Sequence, residues 1–278
     1  MLPAPPAPSR QRQAERNRRL RIDCVVTRVT GGDGCPGGWV AADYDGILVR
    51  RVATAVDLPA LLDGTSCAAI DIPLGLPLAR GVPRPVEKYV RRAYLRGSGS
   101  RLFNVLSLAD QQQAVDAAAA IRAWTAAKEG PCPPIPSGFS IQGVFIADRI
   151  VSAAGWVSTG DPAAAVSVEA HPEVSFAFMN AGSPISESKK TTRGRRIREQ
   201  LLLDRGMVTA AGGATVADFR DVLAIGEGVR PTADDILDAV AVAWTAWRVH
   251  SGTAQWSGPG ALPARRRPPL TTRQVIWH

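Results

Sequence analysis

Apolar and polar positions along the chain alternate first with the short period of strands and later with the longer period of helices. Short apolar runs broken by turn residues predict strands near 22–30, 38–43 and 47–53, with Asp45-Gly46 as a hairpin turn. A short helix from Asp57 and a strand near 67–72 follow. After Pro85 the period lengthens: Val86, Tyr89, Val90, Ala93 and Tyr94 fall on one helical face, and an alanine-rich helix is predicted near 109–129. A proline-rich loop over 130–138 interrupts the helices. Beyond it, a strand at 166–170 runs into a helix that Pro172 can open, and helices near 191–205 and 231–249 and a last strand near 272–277 complete the pattern. No internal repeat is visible. Strands followed by mixed strands and helices predict a single α/β domain over residues 23–278.

Acidic residues that break the apolar runs are the candidate chemistry. Asp33 lies in Gly31-Gly32-Asp33-Gly34-Cys35-Pro36-Gly37-Gly38-Trp39, expected to be a glycine-rich turn between two strands. Glycines there can take positive φ and approach a ligand closely, although capping a tight turn would also account for the acid. Asp71 follows the apolar run Cys67-Ala68-Ala69-Ile70 and precedes a proline-bounded loop. Burying a lone carboxylate costs several kcal/mol unless it is paired or binds a cation. Asp235 and Asp238 share a face of a helix capped by Thr232, where Asp234 and Asp235 also suit the helix N-terminus. Alternation along 166–170 turns Glu169 and His171 to one side. Between these motifs, Lys189 to Arg198 holds six positive charges in ten residues, a density suited to phosphates or to a solvated helix face.

Composition narrows the class only slightly. A chain of 278 residues, 45% hydrophobic, can bury a substantial core. It has no apolar run of membrane-spanning length and no secretory pattern, so a cytoplasmic protein is expected. Four cysteines without CxxC spacing read as reduced thiols, not a zinc site, and a Cys35–His171 dyad lacks any nucleophile context. The net charge is +8, but residues 1–22 contribute six arginines against one glutamate. That segment is polar and aperiodic and is expected to be disordered, either a basic arm or an extension from an early start site. Only four of the 33 basic residues are lysine, a compositional bias that weakens charge as evidence for a partner. Arg265-Arg266-Arg267 reads as a solvated linker.

Taken in order, several motifs resemble domain-of-unknown-function family 429, described as predicted nucleases of the ribonuclease H-like fold. They are Gly32-Asp33-Gly34-Cys35 with Gly37-Gly38-Trp39, Ile70-Asp71-Ile72-Pro73 with Gly75-Leu76-Pro77, Ser140-Ile141-Gln142, Glu169 to Phe176, Ser188-Lys189-Lys190-Thr191, and Asp235 to Ala239. Pro36, Val86 and Arg101-Leu102-Phe103 depart from the usual pattern, outside the acids. The resemblance implies a ribonuclease H-like mixed β-sheet flanked by helices, with helical insertions, and a nuclease acting on DNA or RNA. Its catalytic acids would be Asp33, Asp71, Asp235 and Asp238, with Glu169. Clustered carboxylates repel without a cation, and oxygen-only ligands suit Mg2+ or Mn2+, here on Asp33, Asp71 and Asp238. Lys189, Lys190, Arg193, Arg195, Gln142 and His171 are the expected contacts to nucleic acid. A catalytically silent nucleic-acid binder and an actin-like phosphotransferase are the alternatives.

Overall fold

The computed structural model describes residues 27–96, 102–208, 223–224, 227–258 and 274–278. The expected tail at 1–22, residues 22–26 and 272–273 of two expected strands, Arg101 and Arg265-Arg266-Arg267 lie outside these residues. Three strands open the described chain as a meander: β1 (Val29–Cys35), β2 (Gly38–Tyr44) and β3 (Val49–Ala55). Helix α1 (Pro59–Leu62) leads into β4 (Cys67–Ile70). Helices α2 (Pro85–Tyr94), α3 (Leu108–Ala127), α4 (Ile141–Ser158) and α5 (Pro162–Ala165) precede β5 (Ser167–Glu169). The remainder contributes α6 (Pro172–Met179), α7 (Thr192–Asp204), β6 (Leu223–Ala224), α8 (Ala233–His250), β7 (Trp256–Ser257) and β8 (Ile276–Trp277).

A mixed sheet of five strands, extended at one edge by the two-residue β6, runs in the order β5-β4-β1-β2-β3-β6. Strand β2 is antiparallel to β1 and β3, whereas β4 is parallel to β1 and β5 to β4. Both faces are covered. Val40, Ala42, Ala69 and Val168 pack beneath α8, while Trp39, Ala41, Ala68 and Ile70 pack toward α1 and α4. Alternation along each strand therefore separates two buried cores, not a core from solvent. Strands β7 and β8 form a separate ribbon.

The glycine-rich stretch is not the expected turn. Val29–Cys35 is itself a strand, and the reversal is confined to Pro36 and Gly37, where Gly37 takes φ 85°. The reason lies above the strand. A Cβ on Gly31 would stand 2.1 Å from the Ala239 carbonyl oxygen and 2.2 Å from the Ala243 nitrogen, so its absence lets α8 lie directly on β1. Two further expectations shift. The buried stripe of α2 is Val86, Glu87 and Val90, with Tyr89 turned outward, and α4 is a helix not anticipated beyond the proline-rich loop. It buries Val144 and Ala147 against Ala114, Ala118 and Ile121 of α3, making a helical hairpin outside the sheet. Among the described residues no helix is long and apolar enough to cross a membrane.

Candidate active site

The parallel strands β1, β4 and β5 end at one edge, and their ladder continues one step past the strand ends. The Asp71 amide donates to the Gly32 carbonyl at 2.9 Å and the Ala170 amide to the Ile70 carbonyl at 3.0 Å, which sets Asp33 and Asp71 side by side. Asp33 lies two residues beyond Gly31 and so faces α8. Asp235 and Asp238 lie within about one turn on the N-terminal side of Ala239, the helix residue that touches Gly31. Close packing at a glycine thus brings a strand acid to a helix acid.

Asp33, Asp71, Asp235 and Asp238 line one cavity of about 450 Å³ together with Glu169, His171, Gln142, Lys189 and Lys190. Burial, then the charges of Asp71, Asp238 and Asp235, hold the Asp33 carboxyl well above the usual carboxylate range. Burial also pushes Asp71 up to about 7 against the pull of Lys189, with Glu169 and Glu173 adding to the rise. Asp238 is raised to about 6 by burial, again opposed by Lys189. Lys189 donates a hydrogen bond to Asp238 Oδ2, and despite its own burial the surrounding aspartates strengthen its hold on its proton. Like charge is crowded here and only partly offset.

The remaining acids have other partners. Asp235 Oδ2 accepts from the Thr232 amide at 2.7 Å, the reciprocal bond of a capping box. Glu169 shares its row with Ile70 and so turns away from α8, toward Arg84. Arg84 donates to both of its oxygens, at 2.8 and 2.6 Å, and the Leu74 amide adds a bond at 3.0 Å. Arg84 also bonds Glu87, which burial pushes up to about 7. Glu169 is thus one member of a buried ionic network at the cavity wall. His171 occupies the N-cap position of α6, where its carbonyl accepts from the Val174 and Ser175 amides.

The basic cluster divides along α7. Lys189 and Lys190 reach the cavity from the loop before Thr191, which caps the helix by accepting from the Gly194 amide at 3.1 Å. Arg193 pairs with Glu187 at 3.3 Å and Arg195 with Asp234 at 3.7 Å, and neither lines the cavity. Arg198 is wholly buried and grips both oxygens of Glu173 at 2.9 and 2.8 Å. The cluster is therefore not one phosphate surface. Sequence reasoning missed Arg84, Glu87, Glu173 and Arg198, and also Arg149, which lines the cavity beside Gly34. A signal existed for Arg198: it sits in the buried Gly194, Arg198, Leu202 stripe at helical spacing.

The oxygen-only donor set of Asp33, Asp71 and Asp238 fits Mg2+ or Mn2+ in type and in accumulated charge. As the side chains stand, with Lys189 on Asp238, no group of three or more His, Cys, Asp or Glu among the described residues is placed to hold an ion. Fold and site together define a mixed α/β protein with a buried carboxylate cluster at the edge of its parallel strands. A family model described as "Protein of unknown function (DUF429)" matches residues 31–261, and the chain belongs to that family. No curated protein and no solved structure matches it significantly.

Proposed function

We propose that the protein is a metal-dependent nuclease that hydrolyses phosphodiester bonds of DNA or RNA at the cavity lined by Asp33, Asp71 and Asp238. The reading rests on one observation: three carboxylates from two strands and a helix crowd one cavity, each with its proton affinity raised. Such a cluster stores repulsion that a divalent cation relieves. The order β5-β4-β1-β2-β3, with β2 alone antiparallel among those five, supports a ribonuclease H-like assignment of the fold.

Asp33, Asp71 and Asp238 would hold the ion. When bound, Mg2+ or Mn2+ supplies an activated water and charge for the leaving oxygen, as pairs of such ions about 4 Å apart do elsewhere. Lys189 must first release Asp238, and its ammonium is then free to bond a phosphate oxygen in the same cavity. Lys190 and Gln142 line the approach. Glu169, gripped by Arg84, orders the cavity wall and the loop after β4.

The Lys189–Asp238 bond also favours a second reading, a nucleic-acid binder in which lysine permanently takes the place of the cation. One assay separates the two. Purified protein is incubated with single-stranded, duplex and branched DNA and RNA in Mg2+, Mn2+ or EDTA, beside Asp71→Asn. Cleavage that needs the metal and vanishes in the variant supports the nuclease; binding of the same substrates without cleavage in either metal supports the silent binder.

A further inference from the structure

Helix α4 supplies one wall of the carboxylate cavity. Gln142, Ile146 and Arg149 all line it, and their helical spacing puts them on one face. Alternation along β1 turns Asp33 toward α8 and its neighbour Gly34 to the opposite side of the sheet, where α4 packs. A Cβ on Gly34 would stand 3.1 Å from Arg149 Nη1 and 3.3 Å from its Cδ, so the missing side chain makes room for the guanidinium one residue from Asp33. Arg149 Nη2 donates to the Cys35 carbonyl at 2.7 Å, which fixes the group at the end of β1. Among the described residues the guanidinium makes no other hydrogen bond and no ion pair. Arg84 and Arg198, both buried, each grip a carboxylate. Arg149 is half-buried, shares its cavity with four aspartates and pairs with none of them.

We infer that Arg149 binds a phosphate oxygen of the nucleic-acid strand at the carboxylate cavity, holding the phosphodiester from the side of the sheet opposite Lys189. A phosphodiester carries negative charge into a cavity already crowded with carboxylates, so it needs a cation that those carboxylates have not claimed. Lys189 meets that condition only after it leaves Asp238, whereas Arg149 meets it as it stands. A guanidinium also keeps its charge when partly buried and presents a planar set of donors suited to phosphate. Its anchor on a main-chain carbonyl positions it without neutralising it. This inference rests on the nuclease reading for the class of ligand, but it concerns binding and not cleavage.

Fluorescence anisotropy with a labelled single-stranded DNA oligonucleotide tests it, titrated in EDTA over a range of salt so that no metal-dependent cleavage intervenes and Lys189 stays on Asp238. Arg149→Gln should weaken binding about fivefold at low salt and reduce the log-log salt slope by about 0.7, the share of one phosphate contact on a single strand. Arg193→Gln removes the same charge from an arginine outside the cavity and should leave both quantities at the parent's values. Arg149→Lys keeps the charge and loses the planar donors, so it should hold the parent's slope and bind about threefold more weakly. That variant also keeps the test decisive if Arg149→Gln loosens the fold. An unchanged slope in Arg149→Gln, equal losses in Arg149→Gln and Arg193→Gln, or full affinity in Arg149→Lys overturns the contact. Loss of slope in Arg149→Gln with no cleavage by the parent in any divalent metal upholds the contact and removes the nuclease reading. Metal-dependent cleavage by the parent with an unchanged slope in Arg149→Gln does the reverse.

Discussion

Asp71 combines a backbone role with an electrostatic cost. Its amide extends the β1–β4 ladder, while burial pushes its carboxyl up to about 7. An aspartate in an unfolded chain titrates near about 3.9. Between those values the folded protein binds more protons than the unfolded one, so Asp71 lowers stability as pH rises from about 4 to 7. Asp71→Asn has no charge to bury and keeps the amide. Urea unfolding in EDTA should find the variant at least as stable as the parent at pH 8, with a smaller loss between pH 5 and pH 8. A variant clearly less stable than the parent at pH 8 would make Asp71 a structural turn acid. Lys189 illustrates the opposite sign: it is the cation that makes Asp238 tolerable, which is why a lysine expected to meet phosphate rests on a carboxylate.

At the level of elements, the contact between β1 and α8 places the site, and two neighbouring glycines test it. Gly31→Ala drives a Cβ into the α8 backbone, whereas a Cβ on Gly32 meets its first side-chain atom at an ordinary 3.6 Å. The first substitution should cost about 3 kcal/mol or prevent folding, and the second about 1 kcal/mol or less, by chemical denaturation. Helix α7 offers a comparable pair. Arg198→Met takes the guanidinium away from the buried Glu173 carboxylate and should cost about 3–5 kcal/mol, while Arg193→Gln loses an exposed ion pair worth under about 1 kcal/mol. Equal effects of the two would return Arg198 to the surface. From sequence, the arginines of this run could not be told apart by charge; the apolar spacing of Gly194 and Leu202 around Arg198 carried the distinction.

For the whole molecule, the strands at 38–44, 49–55 and 67–70 and most helices were legible because their apolar periods are clean. The first strand was misplaced because its glycines resemble a turn, and only the helix lying on it makes them a strand. The meeting of Asp33, Asp71 and Asp238 was legible as acids interrupting apolar runs. The fate of Glu169 was not, since Arg84 lies 85 residues away and pairing at that distance leaves no local mark. What unites the molecule is a sheet buried on both faces, with the carboxylate cluster gathered at one edge. The most direct measurement of whether that edge is a cation site is an anomalous difference map from crystals soaked in Mn2+. A peak held by Asp33, Asp71 and Asp238 is expected, with the Lys189 ammonium moved off Asp238. A map with no peak at saturating Mn2+, and Lys189 still bonded to Asp238, would contradict it.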